Sequence, residues 1–150
     1  MSFLYDRNPH HIGFVVPNAD EMGEVLTKSL ACRRLTSYTV DLPSDVLEIG
    51  TPGRVKIVLA ELGKLLFEFI EPIGDEDTVW RRSLHARGPG MHHVAYTEVP
   101  GYESAVRGLQ ETGFEISVAG LFDEGRWCYL EKSGLVIELM SAGGPRLADD

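Results

Sequence analysis

The chain has 150 residues, of which 43% are hydrophobic and 25% charged, and this composition is typical of one globular domain. Its formal net charge of −9 argues against nucleic acid or an anionic membrane as a partner, because both bind to basic surfaces. No apolar run approaches the roughly 20 residues of a membrane-spanning helix. The N-terminal segment lacks the features of a signal peptide, so we expect a cytoplasmic protein.

The first predicted strand begins at His11 and ends near Pro17. Asn18 then stands at a helix N-cap position, with Glu21 three residues later as in a capping box. Apolar residues recur at helical spacing as far as Leu30, and three strand-like segments follow at 35–40, 55–61 and 65–71. Residues 9–73 therefore predict a β-α-β-β-β module.

A short amphipathic helix within about 75–87 is predicted to link this module to a second one at about 91–141. The second module opens with a strand at His93, continues with a helix that Gly113 ends, and closes with strands at 114–118, 126–130 and 135–140. The tail, residues 142–150, is predicted to be flexible.

The two modules share a local sequence pattern. Each first strand reads histidine, β-branched residue, small residue, aromatic residue, starting at His11 and again at His93, which is 82 positions later. An internal repeat of this kind fixes the architecture. The sequence thus predicts an α+β fold of two tandem βαβββ modules within a single domain.

Each module also places one glutamate inside its last, otherwise apolar strand, at Glu68 and Glu138. A buried carboxylate without a partner is costly, so the same anomaly in both modules calls for a shared explanation. One cation held by these glutamates together with His11 and His93 provides it. Two imidazoles and two carboxylates suit Zn, Ni, Co, Mn or Fe(II) as a single divalent ion.

His10 and His92 precede the two proposed ligands and compete with them. Adjacent residues of a strand face opposite sides, so we expect one histidine of each pair to point into the site. The repeated pattern favours His11 and His93, while the alternative register would have to shift in both modules together.

On these residues the chain resembles the vicinal oxygen chelate superfamily (glyoxalase, bleomycin resistance proteins and extradiol dioxygenases) over 9–141. The resemblance implies that the paired modules form a cupped, barrel-like mixed sheet. It also implies a metal site built from the first and last strand of each module, and a homodimer.

Within the superfamily the chain is most similar to methylmalonyl-CoA epimerase-like members, through the segment 67–75 and the segment 90–94. Two epimerase features have no counterpart here: a histidine-proline-lysine stretch before the last strand, and a carboxylate on the strand containing 55–58. The resemblance implies an isomerase, epimerase or lyase acting on a small carbonyl compound, with an acyl-CoA thioester such as methylmalonyl-CoA as one candidate. A ring-cleaving dioxygenase and a non-catalytic resistance-type binding protein are the alternatives.

For the proton-transfer reaction, Glu138 is predicted to alternate between metal ligand and base, with Glu68 opposite it. The sequence leaves open which glutamate is the base. Arg126, Trp127 and Tyr129, on the penultimate strand, are further candidates for the wall of the binding pocket.

Overall fold

The computed structural model describes residue 4 and residues 6–148. Within these residues the chain forms three α-helices, which are α1 (Ala19–Leu30), α2 (Val79–Arg87) and α3 (Tyr102–Glu111). It also forms nine strands, which are β1 (His11–Val15), β2 (Leu35–Leu42), β3 (Leu47–Ile49), β4 (Gly53–Leu62), β5 (Leu65–Ile73), β6 (Gly90–Tyr96), β7 (Glu115–Phe122), β8 (Gly125–Lys132) and β9 (Leu135–Met140).

All strands of the described chain join one mixed sheet in the order β2-β4-β5-β1-β6-β9-β8-β7-β3. The first strand of each module pairs in parallel with the last strand of the same module, β1 with β5 and β6 with β9. The two modules meet where β1 and β6 pair in antiparallel fashion. This arrangement gives the sheet an approximate twofold relation about the β1–β6 pair.

The short strand β3 was not predicted, and it explains why the sheet curls. In the chain β3 lies between β2 and β4, yet it pairs with β7, at the opposite end of the sheet from β2. Four residues, 43–46, separate the end of β2 from the start of β3. The five Cα–Cα steps from Leu42 to Leu47 span at most about 18 Å when extended, so the two ends of the sheet must lie close together. A single three-residue strand with no period-2 pattern gives no signal in the sequence.

Each module packs one helix against its strands. Leu26 of α1 is buried with Val58 and Phe69 of the first module, whereas Val106 of α3 is buried with Leu130 and Leu139 of the second. The start of α1 follows from capping, because the Asn18 side chain accepts a hydrogen bond from the Glu21 backbone N–H at 2.9 Å, which is one of the two hydrogen bonds of a capping box.

A third apolar cluster lies between the modules, where Val15, Ile70 and Tyr129 pack with Trp80 of α2. The predicted fold class, an α+β curled sheet built from two βαβββ modules, is confirmed. Most strands other than β9 extend one to four residues beyond their predicted ends, because cross-strand pairing continues into the turns. The module boundaries at 73, 75–87 and 91 stay predictions.

The first seven residues of the tail, 142–148, form neither helix nor strand, but they contact the rest of the chain. The backbone carbonyl of Ala142 accepts a hydrogen bond from the Glu98 N–H at 3.0 Å, and the Ala148 N–H donates to Thr36 Oγ1 at 2.8 Å. The flexibility predicted for this tail stays a prediction, and its last two residues lie outside the described part. In the described residues, no helix is long and apolar enough to cross a membrane.

Candidate metal centre

Strand register brings the four predicted ligands to one place. Across the parallel pair β1–β5, Glu68 lies opposite Gly13, and across β6–β9, Glu138 lies opposite Ala95. His11 and His93 each stand two residues before these small residues, so histidine and small residue share a face of the sheet. The antiparallel pairing of β1 with β6 then sets His11 opposite Ala95 and Gly13 opposite His93.

The four side chains form a buried cluster. The exposed fractions are 2% for His11, 6% for Glu68, 0% for His93 and 7% for Glu138. The Nε2 atoms of the two histidines are 3.4 Å apart, and each lies 3.3–3.5 Å from Oε1 of both glutamates. One potential ligand atom from each residue lies within 4.8 Å of all the others, so the cluster could hold a metal ion.

The small residue of the repeated pattern makes space for the opposite histidine. A Cβ atom added to Gly13 would lie 2.0 Å from Cε1 of His93, far inside any permitted contact. Even a methyl group at this position is therefore incompatible with the observed orientation of the His93 ring. The repeated sequence pattern has a small residue at this position, and the space needed by the His93 ring is the physical reason for it.

The protonation of the cluster follows from its burial and its charges. Burial alone would lower the pKa of His11, but the charges and hydrogen bonds of Glu68 and Glu138 outweigh it and raise that pKa to about 10. Burial would raise the pKa of Glu68, yet the charge of His11 and the hydrogen bonds of both histidines keep it below its usual value. The same opposition raises the pKa of His93 and lowers that of Glu138.

His10 and His92, the competing histidines, stand behind the cluster. Nδ1 of His10 lies 2.9 Å from Nδ1 of His11, and Nδ1 of His92 lies 3.0 Å from Nδ1 of His93. A histidine that binds a cation through Nε2 carries its hydrogen on Nδ1, so His11 and His93 would donate to their neighbours. His10 thus fixes the ring orientation of His11, and His92 fixes that of His93.

His10 and His92 must be neutral to accept these hydrogen bonds, and their surroundings favour the neutral imidazole at both positions. Burial, followed by the charge of His11, lowers the pKa of His10. Burial and the charge of His93 lower the pKa of His92 to about 3. Strand alternation alone missed the role of His92, because a β-bulge between Gly13 and Phe14 leaves His92 as the extra residue of β6 and interrupts the alternation there.

A cavity of about 710 Å³ adjoins the cluster, with Glu68 and Glu138 in its wall. Of the candidates on β8, Trp127 and Tyr129 line this cavity, whereas Arg126 does not. Arg126 instead forms ion pairs with Glu48 and Glu103 at 3.0 and 2.7 Å. The pattern along β8 could have separated these three, since Trp127 and Tyr129 share one face of the strand and Arg126 faces the other way.

We expect Gly13→Ala to abolish high-affinity metal binding, because the new methyl group displaces the His93 ring. Gly23→Ala is the matched control: a Cβ atom there meets nothing within 4 Å, and the change favours helix α1 by up to about 1 kcal/mol. Metal affinity by calorimetry and thermal unfolding should separate the two variants. Equal zinc affinity in both would show that the His93 position does not matter for binding.

Removal of the His92 ring should weaken metal binding about 10- to 100-fold, because His93 loses the acceptor that holds its Nδ1 hydrogen. His92→Ala tests this expectation, and His92→Asn should restore part of the affinity, since its side-chain oxygen can accept the same hydrogen bond. Competition with a chelator measures the affinities. If both variants bind zinc like the unaltered chain, His92 has no orienting role.

Metal uptake at pH 7 should release about one proton, because His11, whose pKa is raised to about 10, holds a proton that the cation must displace. The affinity should rise from pH 7 towards pH 10, as the His11 imidazole, whose pKa is raised to about 10, loses its proton unaided. Calorimetry in two buffers of different ionisation enthalpy counts the protons. An identical heat of binding in both buffers would contradict the expectation.

The fold is shared with several solved structures of low sequence identity. A hypothetical protein from Bacillus halodurans C-125 matches with a TM-score of 0.67 at 22% identity, covering 93% of this chain and 97% of that one. Methylmalonyl-CoA epimerase from Mycobacterium tuberculosis matches with a TM-score of 0.63 at 18% identity, covering 90% of this chain and 88% of that one.

The Streptomyces coelicolor methylmalonyl-CoA epimerase, in complex with 2-nitronate-propionyl-CoA, has a TM-score of 0.63 at 19% identity, covering 90% of this chain and 97% of that one. No curated protein sequence matches the chain. The family model for the glyoxalase/bleomycin resistance protein/dioxygenase superfamily matches residues 10–129. Because this match spans most of the chain, the protein belongs to that superfamily.

Proposed function

We propose that the protein is a metal-dependent enzyme that moves a proton at a carbon next to a carbonyl group, as an isomerase, epimerase or lyase. The observation that carries this proposal is the buried cluster of His11, Glu68, His93 and Glu138 in the wall of a large cavity. The cluster fits a divalent ion chemically. Its two imidazoles and two carboxylates form a mixed nitrogen and oxygen set that Zn, Ni, Co, Mn and Fe accept.

A divalent ion bound here supplies a Lewis acid that polarises a substrate carbonyl and lowers the pKa of the adjacent C–H bond. The residues of the chain supply the rest. His11 and His93, oriented by His10 and His92, form the rigid side of the site. Glu68 and Glu138 line the cavity, so the carboxylate of either residue can reach a substrate carbon there.

Glu138 is the proposed base, and Glu68 the group that returns the proton from the opposite side. The cavity wall supports the use of a ligand carboxylate. Strand β4 contributes Val55 and Ile57 to the wall, and because both are apolar, neither can act as a separate base. Two solved structures of the same fold are methylmalonyl-CoA epimerases, which supports proton transfer as the class of reaction.

A dioxygenase is the less favoured alternative. Metal-dependent ring cleavage uses two histidines and one carboxylate, which leaves positions free for both the substrate and oxygen. Here a second carboxylate lies within 3.5 Å of both imidazole nitrogens and would fill one of those positions. A non-catalytic binding protein would have no need for two carboxylates at this depth.

The cytoplasmic location and the homodimer belong to this proposal as well. Cys32 and Cys128 are both buried and free, which suits a reducing compartment. The homodimer is carried over from the superfamily resemblance and is testable by sedimentation or light scattering.

Glu138→Gln should lower turnover by about 10²- to 10⁴-fold while most of the metal stays bound, because the amide oxygen can still act as a ligand but cannot take a proton. Hydrogen–deuterium exchange at the α-carbon of thioesters and 2-oxo acids measures the turnover, and elemental analysis measures the metal. Glu115→Gln, at an exposed position of β7, is the matched control. Unchanged exchange in Glu138→Gln would remove Glu138 from the proposed role.

A further inference from the structure

The cavity beside the cluster is walled mainly by aromatic and aliphatic side chains. Five aromatic rings line it: Tyr38, Trp80, Phe122, Trp127 and Tyr129. Tyr129 contacts three other rings. Its ring lies edge-on to Trp80 and Trp127, with centroid distances of 5.8 and 5.6 Å, and its centroid is 4.7 Å from that of His93. Its hydroxyl accepts a hydrogen bond from Trp80 Nε1 at 3.2 Å. The aromatic wall thus extends to His93, one of the four residues of the candidate metal site.

The charges at the rim of this cavity are mainly negative. We define the rim as the exposed charged residues of its lining, which are Asp41, Asp123, Glu124 and Arg146. Among the described residues, Arg146 is the one basic side chain in the lining. Arg54, which lies outside this lining, pairs with Asp41 and offsets its charge. Asp123 and Glu124 then outweigh Arg146 in a chain whose net charge is −9.

We infer that the substrate has a compact, ring-bearing apolar body with at most one negative charge, and that it is not a coenzyme A thioester. A cavity of about 710 Å³ lies within the range that encloses molecules of drug size. Aromatic walls favour a flat apolar body through burial and ring stacking. The phosphates of coenzyme A need basic side chains at the rim, and this rim repels them.

This inference rests on the proposed function in one respect: the reacting carbonyl of the substrate is placed against the four residues of the candidate metal site. The shape and charge of the remaining part of the substrate rest on the cavity wall alone. Binding and proton transfer are therefore measured separately, so that the failure of either idea can be recognised.

Tryptophan emission reports binding directly, because both tryptophans of the chain line the cavity. The zinc-loaded protein is titrated with phenylpyruvate, with pyruvate, which has the same charge but no ring, and with propionyl-CoA. We expect phenylpyruvate to bind at least tenfold more tightly than either other compound, on the order of the gain from burying one phenyl ring. Equal binding of pyruvate, or tighter binding of propionyl-CoA, would overturn the inference.

Charge reversal at the rim tests why coenzyme A is excluded. The double variant Asp123→Lys, Glu124→Lys should bind propionyl-CoA about tenfold or more tightly than the unaltered chain at low salt. The double variant Glu111→Lys, Glu115→Lys makes the same change in net charge at exposed positions outside the cavity, and should change the affinity less than threefold. Equal affinities in the two variants would refute a local effect of the rim.

The exchange of the C3 hydrogens of phenylpyruvate with deuterium, followed by NMR above the buffer rate, reports proton transfer. If phenylpyruvate binds as expected but its exchange is not accelerated, the inferred substrate class stands and the proposed function fails for this compound. If the order of binding is reversed, the inferred class fails whatever the exchange shows.

Discussion

The burial of two carboxylates against two imidazoles is the constraint on which the rest of the structure depends. Transfer of Glu68 and Glu138 out of water costs several kcal/mol for each ion, and their negative charges repel one another. The histidines offset this cost, with a pKa for His11 raised to about 10, and a divalent cation would offset it more fully. A fold that keeps the two carboxylates buried must therefore place positive charge directly beside them.

The twofold relation between the modules meets this requirement economically. One strand pair, β1 with β6, brings both histidines together, and the parallel neighbours β5 and β9 add the two glutamates. The relation is not perfect, because the small residue is glycine in one module and alanine in the other. The His93 ring occupies the space over Gly13, whereas the position opposite His11 tolerates the methyl group of Ala95.

The sequence was sufficient for the fold class and for the grouping of His11, Glu68, His93 and Glu138, because a repeat turns weak local signals into one arrangement. It was not sufficient for strand β3, whose pairing with β7 depends on a contact between the two ends of the sheet. It also missed the orienting role of His92, since a bulge cancels the alternation of a strand and leaves no mark in the residue pattern.

The cavity is the feature least accessible to sequence reasoning, and it bears most on function. Its aromatic rings come from β2 and α2 on one side and from the paired strands β7 and β8 on the other, and these two groups are distant in the chain and meet because the sheet curls. The same curl sets the exposed turn between β7 and β8, with Asp123 and Glu124, at the rim. The cluster of two histidines and two glutamates is thus a property of the repeat, whereas the cavity wall also includes Trp80 of α2, which lies between the two modules and has no repeated counterpart. Reaction chemistry and substrate preference can therefore diverge within one fold, and similarity to epimerases carries less information about the substrate than the cavity wall does.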